Sequence, residues 1–147
     1  MTLQMFNSIE ILLIEDSPTD ATLTIRSFNQ AKIANNLHWL TDGEAAMDYL
    51  RQQGEFENAA RPDLILLDLN LPGMDGREIL AEVKSDANLK RIPVVILTTS
   101  ADEEDVLRSY NLNANCYITK PFDVQQFIQV VQMIGDFWLA AVKLPME

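Results

Sequence analysis

Between Ile9 and the C-terminus, short apolar runs alternate with longer segments in which apolar residues recur every three or four positions. The runs Ile9 to Ile14 and Leu64 to Leu67 show little polar alternation, which suits strands covered on both faces, as in a parallel sheet. The spacing predicts strands over 9–14, 36–40, 64–67, 93–97 and 115–118. It predicts helices over 18–32, 43–53, 76–86, 101–111 and 123 to about 142. Several helix starts carry a side-chain acceptor with a polar partner three residues on: Ser17 with Asp20, Asp75 with Glu78, Ser100 with Glu103 and Asp123 with Gln126. Pro18 strengthens the first of these. Gln53 to Pro62 reads as a polar surface loop. Regular β-α alternation with short connections means right-handed crossovers, so the predicted fold is α/β, a doubly wound five-stranded parallel sheet with helices on both faces.

With 147 residues, 48% of them hydrophobic, the chain has the apolar mass for a single domain over 1–147. Its core is expected over about 9–135, followed by a C-terminal helical extension over about 136–147. Asp and Glu number 22 against 11 Lys and Arg, a formal net charge of -11 with no basic cluster. Such a surface repels phosphate backbones and anionic lipid, which argues against nucleic acid and membrane as partners. The single cysteine, Cys116, excludes an internal disulfide, reads as a small buried strand residue, and fits a reducing cytoplasm. No apolar stretch approaches a membrane span of about 18 residues. Residues 1–7 lack the basic start and apolar core of a signal peptide.

Two strands end in acid. The run Leu64-Ile65-Leu66-Leu67 stops at Asp68 and then breaks on Pro72 and Gly73; the first strand stops at Glu15-Asp16 before Ser17 and Pro18 open a helix. Open parallel sheets bind ligands beyond the carboxyl ends of their strands, so three carboxylates are offered to one pocket. Two like charges about 4 Å apart repel by on the order of 4 kcal/mol at an effective dielectric near 20. Three such groups therefore call for a cation or for protons, and a divalent metal answers the need.

The acidic pair Glu15-Asp16, the segment Asp68-Leu69-Asn70-Leu71-Pro72-Gly73-Met74-Asp75-Gly76, Thr98 closing the fourth strand and Lys120-Pro121-Phe122 after the fifth resemble the receiver domain of two-component response regulators. The resemblance covers nearly the whole chain, from Ile9 to about Gly135, and the set is specific where any one member alone is weak. The Phe137-Trp138-Leu139 ending and the Gln53 to Pro62 loop look like the small single-domain regulators paired with cyanobacterial phytochromes. The resemblance implies a flavodoxin-like receiver fold and a phosphoacceptor, Asp68, that takes its phosphoryl group from a histidine kinase, here one of the phytochrome type. It implies Mg2+ bound directly by Asp16 and Asp68, through water by Glu15, and by the backbone carbonyl of Asn70. Lys120 would place an ammonium near the phosphoryl oxygens, and the Thr98 hydroxyl would donate to one of them. Tyr117, three positions before the lysine, would turn into the space that Thr98 vacates. Mg-dependent self-phosphorylation and slow self-dephosphorylation follow, in a signalling protein rather than an enzyme acting on a separate substrate.

Each residue also has an ordinary reading. Glu15 and Asp16 suit the positive end of the helix beginning at Pro18, Asp68 suits a turn, Thr98 a strand end, and Lys120 a solvated surface. Their coincidence at successive strand ends favours the site. Asp75 reads as a helix cap, and His38 as a packed or surface side chain rather than a phosphate carrier. The final helix carries Phe137, Trp138 and Leu139 beyond the length a small sheet can cover, which predicts a homodimer or partner surface there. Two other classes compete: a receiver-like binding module working without phosphate, and a haloacid-dehalogenase-like Mg-dependent phosphatase. The latter needs an acid two residues after its nucleophile, where this chain has Asn70.

Overall fold

A computed structural model describes residues 9–30, 34–98, 116–119 and Gln125. Five strands, β1 (Ile9–Ile14), β2 (Asn35–Leu40), β3 (Leu64–Asp68), β4 (Val94–Thr98) and β5 (Cys116–Thr119), form one sheet in the order β2-β1-β3-β4-β5. Every neighbouring pair is parallel. From β1 the chain steps outward to β2, then returns past β1 to build β3, β4 and β5 on the other side. The reversal leaves a crevice between the ends of β1 and β3, the usual ligand position of such sheets.

Helices α1 (Pro18–Gln30), α2 (Gly43–Leu50) and α3 (Gly76–Ser85) cover the sheet. Alternate residues of β1 feed two cores: Leu12 and Ile14 pack with α2 and α3 residues such as Ala46, Ile79 and Leu80, while Ile9, Ile11 and Leu13 pack with Ala21 and Phe28 of α1. β3 divides the same way, Ile65 and Leu67 on one face and Leu64 and Leu66 on the other. All five residues of β3 are buried, which accounts for a run with no polar alternation. β2, an edge strand, is only partly covered.

The predicted caps of α1 and α3 form. The Asp20 N–H donates to Ser17 Oγ at 3.2 Å. Asp75 and Glu78 make a reciprocal capping box, with Asp75 Oδ1 accepting from the Arg77 N–H at 2.7 Å and Glu78 Oε1 accepting from the Asp75 N–H at 3.1 Å. A further cap appears at α2, where Asp42 Oδ1 accepts from the Ala45 N–H at 2.8 Å.

Several strand and helix ends differ from expectation by one residue, and two differences go further. The second helix ends at Leu50 rather than at 53, because Gln52 takes a left-handed φ of 55° that no helix continues through. The Gln53 to Pro62 loop is not wholly a surface feature: it contains a 3-10 turn over Gly54–Phe56, and Phe56 and Ala59 pack against the core. The Phe56 ring lies 5.4 Å from that of Tyr49, so one aromatic pins the loop to α2. The predicted helix over 101–111 and the caps at Ser100 and Asp123 lie outside the described residues, as does the final helix apart from helical Gln125. No helix among the described residues is long and apolar enough to cross a membrane.

Candidate functional site

The carboxyl ends of β1 and β3 meet because of their register. Ile14 stands beside Leu67, so the next residues along, Glu15 and Asp68, are neighbours at the crevice. Glu15, Asp16 and Asp68 bring carboxylate oxygens within 4.8 Å of one another. Glu15 and Asp68 are buried, at 0% and 3% exposure, while Asp16 faces solvent. Two acids withdrawn from water beside a third form a site of concentrated negative charge.

Local hydrogen bonds hold the acids in place. Glu15 Oε2 accepts from the Ser17 N–H at 3.2 Å, and the Glu15 N–H donates to the Leu40 carbonyl at 3.0 Å. Thus a place at the positive start of α1 and a place in the acidic cluster are not alternatives, since the one carboxylate has both. Asp68 Oδ1 accepts from the Asn70 N–H at 3.0 Å, a turn that points the carboxylate along the exit from β3. Gly73, at φ 71°, then supplies the left-handed residue that reverses the chain toward α3.

A hard divalent cation fits this donor set. Two oxygens that each lie about 2.1 Å from one ion can be no more than about 4.2 Å apart. The three acids offer oxygen donors close enough to share one such ion, directly or through water. All-oxygen donors favour magnesium or manganese over zinc.

The other predicted site residues fall as follows. Asn70 is exposed, immediately beyond the Asp68 strand end. Asp68 pairs with Leu97, so Thr98 stands one step past Asp68 on the adjacent strand, and Tyr117 lies in β5 opposite Ile96. Lys120, Phe137, Trp138 and Leu139 lie outside the described residues. Asp75 is committed to its cap and to the Arg77 guanidinium at 3.1 Å, and it is not among the acids brought together at the crevice. His38 is a surface side chain of β2, with Nε2 3.6 Å from Glu10 Oε1 and its ring 5.5 Å from Tyr49. Burial, with the Glu10 charge nearby, pushes the Tyr49 phenol above its usual pKa. The sequence reading missed Trp39, whose indole N–H donates to the Glu15 carbonyl at 2.6 Å. No local pattern signals a contact made across 24 residues.

Comparison with known proteins agrees with this geometry. The sequence profile of the response regulator receiver domain matches residues 11–132. The chain is 54% identical over 135 residues to the response regulator Rcp1 of Synechocystis sp., covering 92% of each protein. Its structure is similar to that of the phosphorylated cyanobacterial phytochrome response regulator RcpA, with a TM-score of 0.78 and 50% identity over 92% of this chain and 97% of that one. It is similar as well to the Mn2+-bound form of Rcp1, with a TM-score of 0.76 and 53% identity over 91% of this chain and 96% of the other.

Proposed function

Because the chain belongs to the response regulator receiver family, the phosphoacceptor modules of two-component signalling, we propose that its Asp68 accepts a phosphoryl group from a phytochrome-type histidine kinase in a magnesium-dependent reaction. The observation that carries this reading is the buried Asp68 carboxylate at the β1/β3 crevice, within 4.8 Å of two further acids. A carboxylate oxygen of Asp68 forms the new P–O bond as the P–N bond to the donor imidazole breaks, and the electron pair leaves on the imidazole nitrogen. Magnesium supplies charge neutralisation between the carboxylate and the incoming phosphoryl group. Asp16 and Asp68 would hold it directly, Glu15 through water and Asn70 through its backbone carbonyl. Lys120 and Thr98 receive the phosphoryl oxygens. Withdrawal of the Thr98 hydroxyl toward them frees the space into which Tyr117 turns, which is how the charge at Asp68 becomes a change of surface.

The phytochrome pairing rests on 50% identity to RcpA, a phytochrome response regulator, and the divalent ion draws support from the Mn2+-bound form of Rcp1. Incubation with Mg2+ and acetyl phosphate, followed by intact mass measurement, tests the reaction. Labelling is expected with the metal and background only in excess chelator, and undiminished labelling in chelator would count against the metal's role. A phytochrome-type kinase should label the chain faster than an unrelated kinase does.

The C-terminal apolar residues Phe137, Trp138 and Leu139 support a homodimer. Burying one large apolar side chain is worth about 1.5–3 kcal/mol, enough for two or three per subunit to offset part of the association cost and give a weak dimer. Sedimentation should show the intact chain associating where a form ending at Gly135 does not. Two monomers at high concentration would end the idea.

A further inference from the structure

Trp39 stands out among the described residues as the large hydrophobic side chain left exposed, at 38%, and it sits on the edge strand β2. An indole so placed gains little from burial, but its N–H is used: it donates to the Glu15 carbonyl at 2.6 Å. That carbonyl belongs to the peptide joining Glu15 to Asp16. The peptide is planar, so fixing the direction of its C=O also fixes the direction in which the chain leaves toward the Asp16 Cα. On the other side of Glu15, its N–H is held by the Leu40 carbonyl at 3.0 Å. Adjacent residues of β2 therefore grip both polar groups of the Glu15 backbone. Glu15 itself is fully buried while Asp16 is exposed, so Asp16 is the acid whose position most needs an external constraint.

We infer that Trp39 is a positioning residue of the metal site, its indole N–H orienting the Glu15–Asp16 peptide so that the two acids face Asp68 in a geometry ready for a divalent cation. The inference rests on the metal reading of the acidic cluster. It ties the occupancy of the site to the edge of the sheet, a part of the surface that does not touch the ion. Groups that orient ligands typically alter metal affinity by 10- to 100-fold when removed. Here the bond reaches the ligand's backbone rather than its carboxylate, so the lower end applies.

Calorimetric titration of the full chain with Mg2+ tests it, using Trp39→Phe, which keeps a ring and loses the donor, and Trp39→Gln, whose amide nitrogen stands as many bonds from Cβ as the indole nitrogen. The expected result is about 10-fold weaker Mg2+ binding for Trp39→Phe and a smaller loss for Trp39→Gln. A side chain that merely covers the sheet edge would lower metal-free thermal stability in both variants and leave Mg2+ affinity unchanged. That result, or an equal loss in both, overturns the inference. If Trp39→Phe does not fold, the native chain decides. The Trp39 indole N–H resonance, assigned against Trp138→Phe, should shift along the Mg2+ titration, and a resonance that stays still overturns the proposal. A native chain that binds no Mg2+ at millimolar concentration instead defeats the metal reading itself.

Discussion

Asp68→Asn is expected to lose phosphoryl labelling by roughly four orders of magnitude while melting within about 1 kcal/mol of the native chain. The amide is nearly the same size as the carboxylate, and its oxygen can still accept the Asn70 N–H that Asp68 Oδ1 accepts at 3.0 Å. The turn leaving β3 is thereby kept. What disappears is the anionic oxygen that would form the bond to phosphorus, for which an amide is a poor substitute. Intact mass after incubation with Mg2+ and acetyl phosphate reads the labelling, and a thermal melt reads the fold. Labelling of the variant at the native level would move the acceptor to a neighbouring acid, with Asp16, exposed in the same cluster, the first to examine.

The acidic cluster was legible because its parts are local. The acids of β1 and β3 each stand at the end of an apolar run, and the run lengths set where the strands stop: β1 spans Ile9–Ile14 as its sequence suggests. The parallel register then does the remaining work, since Ile14 beside Leu67 makes Glu15 and Asp68 neighbours. Caps were legible for the same reason, being encoded within four residues, as at Ser17 and Asp75.

What escaped was either long-range or chemically inconspicuous. Gln52 ends α2 with a positive φ that a glycine would have announced and a glutamine does not. Phe56 docks on Tyr49 from a stretch whose composition is otherwise polar, and only the fold reveals its partner. Asp42 caps α2 without an acidic or amide partner at the third position, where Ala45 stands, so the reciprocal pattern that marked α3 is missing. Trp39 meets Glu15 only because β2 lies beside β1, which no spacing along the chain encodes.

Gly76→Ala should damage both stability and phosphorylation, the more so because Gly76 looks like an ordinary first residue of α3. A Cβ there would lie 2.5 Å from the Asp68 carbonyl oxygen, 2.6 Å from the Leu69 Cα and 3.1 Å from the Leu69 carbonyl carbon. These are backbone atoms, so no side-chain rotation can relieve the contact. The Gly76 N–H also donates to the Leu69 carbonyl at 3.1 Å, which holds α3 against the strand end it would have to leave. Either α3 retreats and loses part of the packing of Ile79 and Leu80, both fully buried, or the chain at Asp68 and Leu69 shifts and carries the Asp68 carboxylate with it. Overpacking of this kind costs about 1–3 kcal/mol, and contact with the Asp68–Leu69 backbone rather than a flexible side chain puts Gly76→Ala at the upper end. Displacing a reacting group by about 1 Å can cost on the order of a hundredfold in rate, so phosphorylation should fall by more than the loss of folded protein explains. Denaturant unfolding and the labelling rate per folded molecule separate the two effects. A variant as stable and as quickly labelled as the native chain would mean that the approach of α3 to the end of β3 is not what fixes Asp68.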